Sequence, residues 1–335
     1  MRTVKISLVG YGVVGHGVVE VIRSKRNMLR DLGLDLRIVS VTDHTGTVYS
    51  DDGISLEKIL REKTLEQIAT SGMLGKEAIK AINSDLVVEV TPTNIVHGQP
   101  GLGHIEEALS EGKHVVTSNK GPLVVAYKQL KKMAEDRGVM LKFEATVGGT
   151  MPLISLIERT LVGNKILGIR GIFNGTCNYI LTRMSDERCP YRYALTEAQE
   201  LGIAEADPGY DVEGVDTAAK VLILANSIFD MGIKYSDIEV TGITEITPEA
   251  LNHAHKSGYV VKLIGEVPAL KVKPMLVPMG SPLAVGGTLN VASIYTDLSG
   301  TITVIGLGAG SIETASAILS DIVSIYRTKR IDAIF

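Results

Sequence analysis

TVKISLVGYGVVGHGVVEVI, residues 3–22, decides the fold class. It opens with TVKISLVG (3–10), a short apolar run of strand character ending in glycine. Gly10, Gly12 and Gly15 then make a G-x-G-x-x-G pattern around Tyr11, Val13 and Val14. The following HGVVEVIRSKRNMLRDLG (16–33) reads as a helix stopped by Gly33. A glycine loop between a strand and a helix is the setting in which this pattern binds a dinucleotide. The first glycine permits the tight turn, the second lets backbone approach a pyrophosphate, and the third allows close helix–strand packing. The helix N-terminus adds unpaired N–H groups for the anion. The competing reading is a glycine-rich turn of any α/β protein; the agreement of position, strand and helix favours the dinucleotide.

Outward from this loop, strands and helices alternate. LRIVSVTD (36–43), DLVVEV (85–90), HVVTSNK (114–120) and GVMLKFEATVGG (138–149) read as strands, with helices over 104–112 and 123–138. Apolar strands separated by helices predict a parallel sheet covered on both faces, an α/β class with a Rossmann-like nucleotide domain. Asp43 ends the second strand, where an acid would bond the ribose hydroxyls of NAD and repel the extra phosphate of NADP. His44, Thr45 and Arg37 could hold that phosphate, so NAD and NADP both stay open, and the competing reading of Asp43 is a strand-end acid capping a turn.

After about Gly149 the pattern changes. PLISLIERTLVG (152–163) predicts a helix, and helix-rich sequence follows to about Phe229. LNVASIYTDLSGTITVIG (289–306) predicts an antiparallel hairpin turning near Ser299 and Gly300. GLGAGSIETASAILSDIVSIYR (306–327) is a glycine loop and a helix, expected to fold back on the first domain.

The composition narrows the function. Of 335 residues 45 % are apolar and 21 % charged, with net charge -4. Nucleic acid as the main partner would need a basic stripe, which the net charge argues against, and a base-stacking platform is not expected where aromatic residues make up 4 % and Trp is absent. Cys177 and Cys189 are too few for a secreted disulfide framework. No signal-peptide pattern or membrane-length apolar run exists, so the cytoplasm is the expected compartment.

The stretch EADPGYDVEGVDTAAK (205–220) concentrates acid before one lysine. Asp216 stands four residues before Lys220, on the same face of a predicted helix. A surface i,i+4 pair would explain this at a few tenths of a kcal/mol, roughly. The apolar VLILA that follows argues against a surface position. The alternative is chemical. Hydride delivered to a carbonyl leaves a developing alkoxide, which an ammonium can stabilise and then protonate. The surplus carboxylates of the stretch suit a substrate's ammonium group.

Over nearly its whole length the sequence resembles the homoserine dehydrogenase family. The resemblance lies in GYGVVG (10–15), TSNKGP (117–122), FEATVGGTMP (143–152), FNGTCNYI (173–180), the acidic stretch, and GLGAG with ETASA behind it. It implies reversible reduction of L-aspartate 4-semialdehyde to L-homoserine with NADH or NADPH, within threonine, methionine and isoleucine biosynthesis. It implies Lys220 as proton donor, Lys120 as a second active-site lysine, and Asp216 as an acid orienting the lysine or holding substrate. Glu205, Asp211, Gly175 and Thr176 match the substrate side. Gly12, Val13, Thr91, Lys120 and Gly310 match nucleotide contacts. Glu144, with backbone oxygens of Val147, Gly149 and Met151, matches a monovalent-cation site, expected to take Na⁺. The residues alone favour a solvent-facing acid at Glu144. The loop Thr91-Pro92-Thr93-Asn94 is a variant of the family's nicotinamide loop.

The resemblance also implies a nucleotide domain over 1–143, completed by 308–335. It implies a dimerisation segment over 144–152 and 283–307, a mixed α/β substrate domain over 153–282, and a homodimer. The hairpin could instead be an internal sheet. With no appended regulatory domain, threonine feedback through one is not expected. Two other functions remain in view. An aldehyde-oxidising enzyme would need Cys177 as nucleophile, and a redox sensor would need the nucleotide domain without the acid-rich stretch.

Overall fold

The computed structural model describes residues 1–327; the last eight residues of the expected 308–335 segment, 328–335, lie outside the described residues. The chain divides into two compact units, Met1–Thr146 with Gly310 onward, and Val147–Ala309.

The first unit is built on a sheet of β1 (Arg2–Val9), β2 (Leu34–Thr42), β3 (Thr47–Tyr49), β4 (Leu86–Glu89), β5 (His114–Thr117) and β6 (Leu141–Lys142). Its order is β3-β2-β1-β4-β5-β6. All neighbours are parallel except β3, an antiparallel edge. Side chains alternate across the strands, so both faces can be buried. Leu86 and Val88 join Ile6, Leu8, Val18, Ile22 and Ile38 on one face. Val87 and Val115 meet Ile105, Leu109 and Leu130 on the other. The helix Ser311–Tyr326 contributes Ala315, Ile318 and Ile322 to the first of these cores.

Two expected elements are shorter than their apolar patterns. The helix expected over 16–33 is two helices, Val13–Ser24 and Arg26–Asp31, joined at Lys25. Lys25 has φ -96° and ψ 10°, outside the helical range, although its N–H still donates to Val21 O at 2.9 Å. Of the strand expected over 138–149, only Leu141–Lys142 pairs. The chain then turns, because Phe143 O accepts both the N–H and the hydroxyl of Thr146, at 3.0 and 2.7 Å.

The second unit holds β7 (Ile166–Ile172), β8 (Glu239–Val240), β9 (Tyr259–Val267), β10 (Lys271–Pro278), β11 (Leu289–Thr296) and β12 (Thr301–Leu307). Their order is β12-β11-β7-β9-β10-β8, antiparallel apart from the β8–β10 pair. The hairpin expected over 289–306 is β11–β12. The 152–163 stretch is one α turn, Leu153–Ser155, followed by a π turn, Leu156–Thr160. Gly171 and Gly265 make room for the fully buried Phe173 ring: a Cβ at either would lie 3.0 Å or less from the ring or other atoms of the fold. The helix Val215–Ser227 is buried from Asp216 through Asn226, so Asp216 and Lys220 both lie inside the unit. Among the described residues, no helix is long and apolar enough to cross a membrane.

Candidate active site

The glycine loop has the geometry of a phosphate cradle. Gly10 has φ +105°, and a Cβ there would lie 2.7 Å from the Val90 carbonyl. A Cβ at Gly15 would lie 2.1 Å from Gly10 O, so this glycine is fixed by packing. Gly12 differs: nothing lies within 4 Å of its Cβ position, and it stands at the start of the helix Val13–Ser24 without a side-chain cap. The helix therefore offers uncapped N–H groups to a space that a side chain would narrow. Val13 is exposed and Val14 half-buried. Gly310 precedes the helix Ser311–Tyr326, whose Ser311 hydroxyl donates to Val13 O at 2.7 Å.

The carboxyl ends of the parallel strands carry the remaining nucleotide candidates. Thr91 follows β4, and its N–H donates to Glu89 Oε1 at 3.0 Å; its hydroxyl bonds the same oxygen. Glu89 is 0 % exposed and also accepts from the Thr117 hydroxyl at 3.2 Å. Asn119 caps the helix Lys120–Arg137 through a 3.1 Å bond from Gly121 N–H. Its Nδ2 donates to Thr91 Oγ1 at 3.3 Å. Lys120 is thus the first residue of a capped helix, and is half-buried. Asp43 is committed to its own turn. Its Oδ1 accepts from the Thr45 N–H and hydroxyl at 2.7 and 2.6 Å, and its Oδ2 from Leu65 N–H at 3.3 Å. Arg37 is paired with Asp35 at 2.7 Å. A polar cavity of about 430 Å³, lined by Arg2, Lys80, Asp85 and Lys113, opens at the opposite, amino end of these strands.

In the second unit the acid–lysine cluster assembles. Lys220 is 8 % exposed and Asp216 5 %. Lys220 Nζ donates to Asp216 Oδ2 at 2.5 Å and to Phe173 O at 2.6 Å. The surface-pair reading is thereby corrected, because both partners lie inside the unit. Asn174 caps the helix Gly175–Glu187, accepting from Cys177 N–H at 2.8 Å. Its Nδ2 donates to Asp211 Oδ1 at 2.7 Å and to Asp216 Oδ2 at 3.0 Å. Burial first, and the neighbouring Asp216 charge second, raise the Asp211 carboxyl above its ordinary range; the bond from Asn174 and the Lys220 charge oppose the rise. Thr176 donates its hydroxyl proton to Ile203 O at 3.0 Å. Gly175 is the first residue of the same helix. Glu205 is exposed in the loop after Tyr191–Glu200, and its side chain makes no hydrogen bond among the described residues. The structure therefore gathers Lys220, Asp216, Asp211 and Thr176, and leaves Glu205 outside that bonded cluster.

Glu144 is 4 % exposed, so its side chain does not face solvent; its N–H donates to Asp321 Oδ2 at 2.9 Å. Val147 and Met151 are buried, and Gly149 has φ +61°. No group of three or more His, Cys, Asp or Glu suited to a metal exists among the described residues. Cys177 is buried and its Sγ donates to Asp211 O at 3.1 Å. Burial pushes its thiol well above the ordinary value, the reverse of what a thiolate nucleophile needs.

Spacing along the chain did not single out Asn174, Glu89 or Asn119. Asn174 and Asn119 had a usable signal, since Asn before a helical run is a preferred cap. Glu89 had none beyond an acid in an apolar strand.

Two family models match the chain. "Homoserine dehydrogenase, NAD binding domain" covers residues 10–144, and "Homoserine dehydrogenase" covers 152–323. The chain belongs to the homoserine dehydrogenase family. It is 49 % identical to homoserine dehydrogenase of Methanocaldococcus jannaschii over 97 % of this chain and 99 % of that one. It is 36 % identical to the NAD(+)-dependent homoserine dehydrogenase of Pseudomonas canavaninivorans, over 98 % and 97 %. The structure of a hyperthermophilic archaeal homoserine dehydrogenase in complex with NADPH superposes with TM-score 0.81 at 29 % identity, covering 97 % of this chain and 98 % of that one. Homoserine dehydrogenase family membership makes the chain an NAD(P)-dependent oxidoreductase, and the open space at Gly12 fits such a nucleotide.

Proposed function

We propose that the chain interconverts L-aspartate 4-semialdehyde and L-homoserine, with Lys220 as the proton donor to the carbonyl oxygen. The observation that supports this is the buried ammonium of Lys220, fixed by Asp216 Oδ2 and Phe173 O. A lysine has three N–H donors, so one remains for a substrate oxygen. A bound nicotinamide nucleotide supplies the hydride. Lys220 stabilises the negative charge that appears on the oxygen and gives it a proton. Asp211 and Glu205 attract the substrate's ammonium group. Lys120 adds a second positive charge, an assignment supported by the resemblance of TSNKGP.

Either NADH or NADPH fits this reading, since Asp43 is occupied by its own turn and relatives with each cofactor are known. Glu144, with carbonyls of Val147, Gly149 and Met151, is proposed to hold Na⁺; a carboxylate with carbonyl oxygens suits a hard cation, and the burial of Glu144 favours it. A homodimer through 144–152 and 283–307 is supported by edge strand β12, which exposes Ile305 and Leu307. Residues 1–143 with 308–335 would serve the nucleotide and 153–282 the substrate. We place the enzyme in the cytoplasm and in threonine, methionine and isoleucine biosynthesis.

The test follows NADH and NADPH absorbance with aspartate semialdehyde, with and without Na⁺ or K⁺. Turnover with the semialdehyde, raised by one of the cations, is expected. Nucleotide binding without turnover would favour a sensor and overturn the proposal.

A further inference from the structure

The two anchors of the Lys220 ammonium are linked through one dipeptide. Phe173 supplies the carbonyl that accepts at 2.6 Å. Asn174 supplies an N–H to the same Asp216 Oδ2 that accepts from Lys220. The second N–H of that amide goes to Asp211 Oδ1. The amide oxygen is spent on Cys177 N–H. Asn174 is 5 % exposed, and each side of its carboxamide has a named partner.

We propose that Asn174 is a positioning residue for Lys220. This rests on the reading of Lys220 as proton donor. Two carboxylates near one another repel, and a neutral amide that donates to both holds them without adding charge. It also fixes which oxygen of Asp216 faces the ammonium. With two of three Lys220 protons directed at fixed acceptors, the tetrahedral nitrogen leaves its third N–H in one direction. Displacement of Asp216 Oδ2 would therefore redirect the proton that the substrate oxygen receives. Losses of about a hundredfold follow misplacement on the scale of an ångström.

Asn174→Ser separates this role from capping. Serine is as good a helix cap as asparagine, but it cannot reach two carboxylates with two donors. Asn174→Asp keeps size and cap, and replaces the donor with a third acid. Both variants are compared with Lys220→Ala in one assay, reading kcat, KM for nucleotide and the pH dependence of kcat/KM. For Asn174→Ser we expect unchanged nucleotide KM, kcat reduced by about tenfold or more, and an acid limb moved to higher pH. That direction follows because the lost N–H had favoured the ionised form of Asp211. Asn174→Asp should move the limb further the same way; a role confined to folding would move neither limb. If both variants keep kcat within about twofold and the parent pH profile while Lys220→Ala is crippled, Asn174 only caps a helix and the proposal is overturned. If Lys220→Ala is itself as active as the parent, the underlying reading of Lys220 fails, and this proposal with it. Should one variant fail to fold, the other supplies the same comparison.

Discussion

Lys220 Nζ lies 2.5 Å from Asp216 Oδ2, one turn earlier on a helix buried along most of its length. On a surface such a pair would contribute a few tenths of a kcal/mol, roughly. Here each partner would be left as a desolvated charge without the other. Removing one member of a buried pair costs about 3–5 kcal/mol, whereas replacing both by apolar groups is often neutral. Asp216→Leu should therefore lower the melting temperature strongly. Adding Lys220→Met should recover most of that loss without recovering activity. A double variant as unstable as the single one would show that the pair is not the origin of the penalty.

The two glycines of the nucleotide loop should separate folding from binding. A Cβ at Gly15 meets Gly10 O at 2.1 Å, so Gly15→Ala has to displace backbone. A Cβ at Gly12 meets nothing within 4 Å. Gly12→Ala should melt near the parent temperature yet raise the nucleotide KM by about tenfold or more, because the added methyl occupies the approach of the pyrophosphate. Calorimetry beside nucleotide titration checks this. Equal binding by Gly12→Ala would remove the cradle assignment.

Cys177 should be dispensable for chemistry. Its thiol is buried, pushed up by desolvation and engaged with Asp211 O. Serine at this position can donate to the same carbonyl. Cys177→Ser should keep kcat within about threefold, since no proton transfer of the usual hundredfold worth is lost. Loss of turnover with an intact fold would revive Cys177 as the nucleophile of an aldehyde-oxidising enzyme.

Lys262 should give stability a pH dependence. The residue is 4 % exposed and donates to Asn178 Oδ1 at 2.8 Å and Thr182 Oγ1 at 3.0 Å. Burial lowers its pKa from 10.5 to about 8, with Asp186 pulling the other way. Below about 8, folded and unfolded states both hold the proton. Between that value and 10.5 the unfolded chain holds a proton that the folded chain has released. The contribution of this group to stability therefore rises with pH across that window. Chemical denaturation from pH 7 to 10 should show the rise in the parent relative to Lys262→Met. Parallel curves would refute it.

The first unit was legible because its signals are local. A glycine loop, alternating apolar strands and their helices each occupy a few consecutive residues. Much of the second unit was not. β7, β9 and β10 are short or mixed runs, KILGIRGI among them, that periodicity alone does not distinguish from helix. Lys220 and Asp216 were visible at i,i+4, and the apolar run behind the lysine hinted at burial. The bonds from Asn174 to Asp211 and Asp216 span 37 and 42 residues, beyond any spacing rule. Glu89 likewise depends on Thr117, 28 residues away, for part of its setting.

The most direct measurement is kcat/KM for aspartate semialdehyde reduction by Lys220→Ala, at saturating nucleotide and across pH. Loss of a positioned proton donor should lower it by about a hundredfold or more, with nucleotide affinity unchanged. Turnover within about threefold of the parent, from a folded Lys220→Ala protein, would contradict the assignment of Lys220 as the donor.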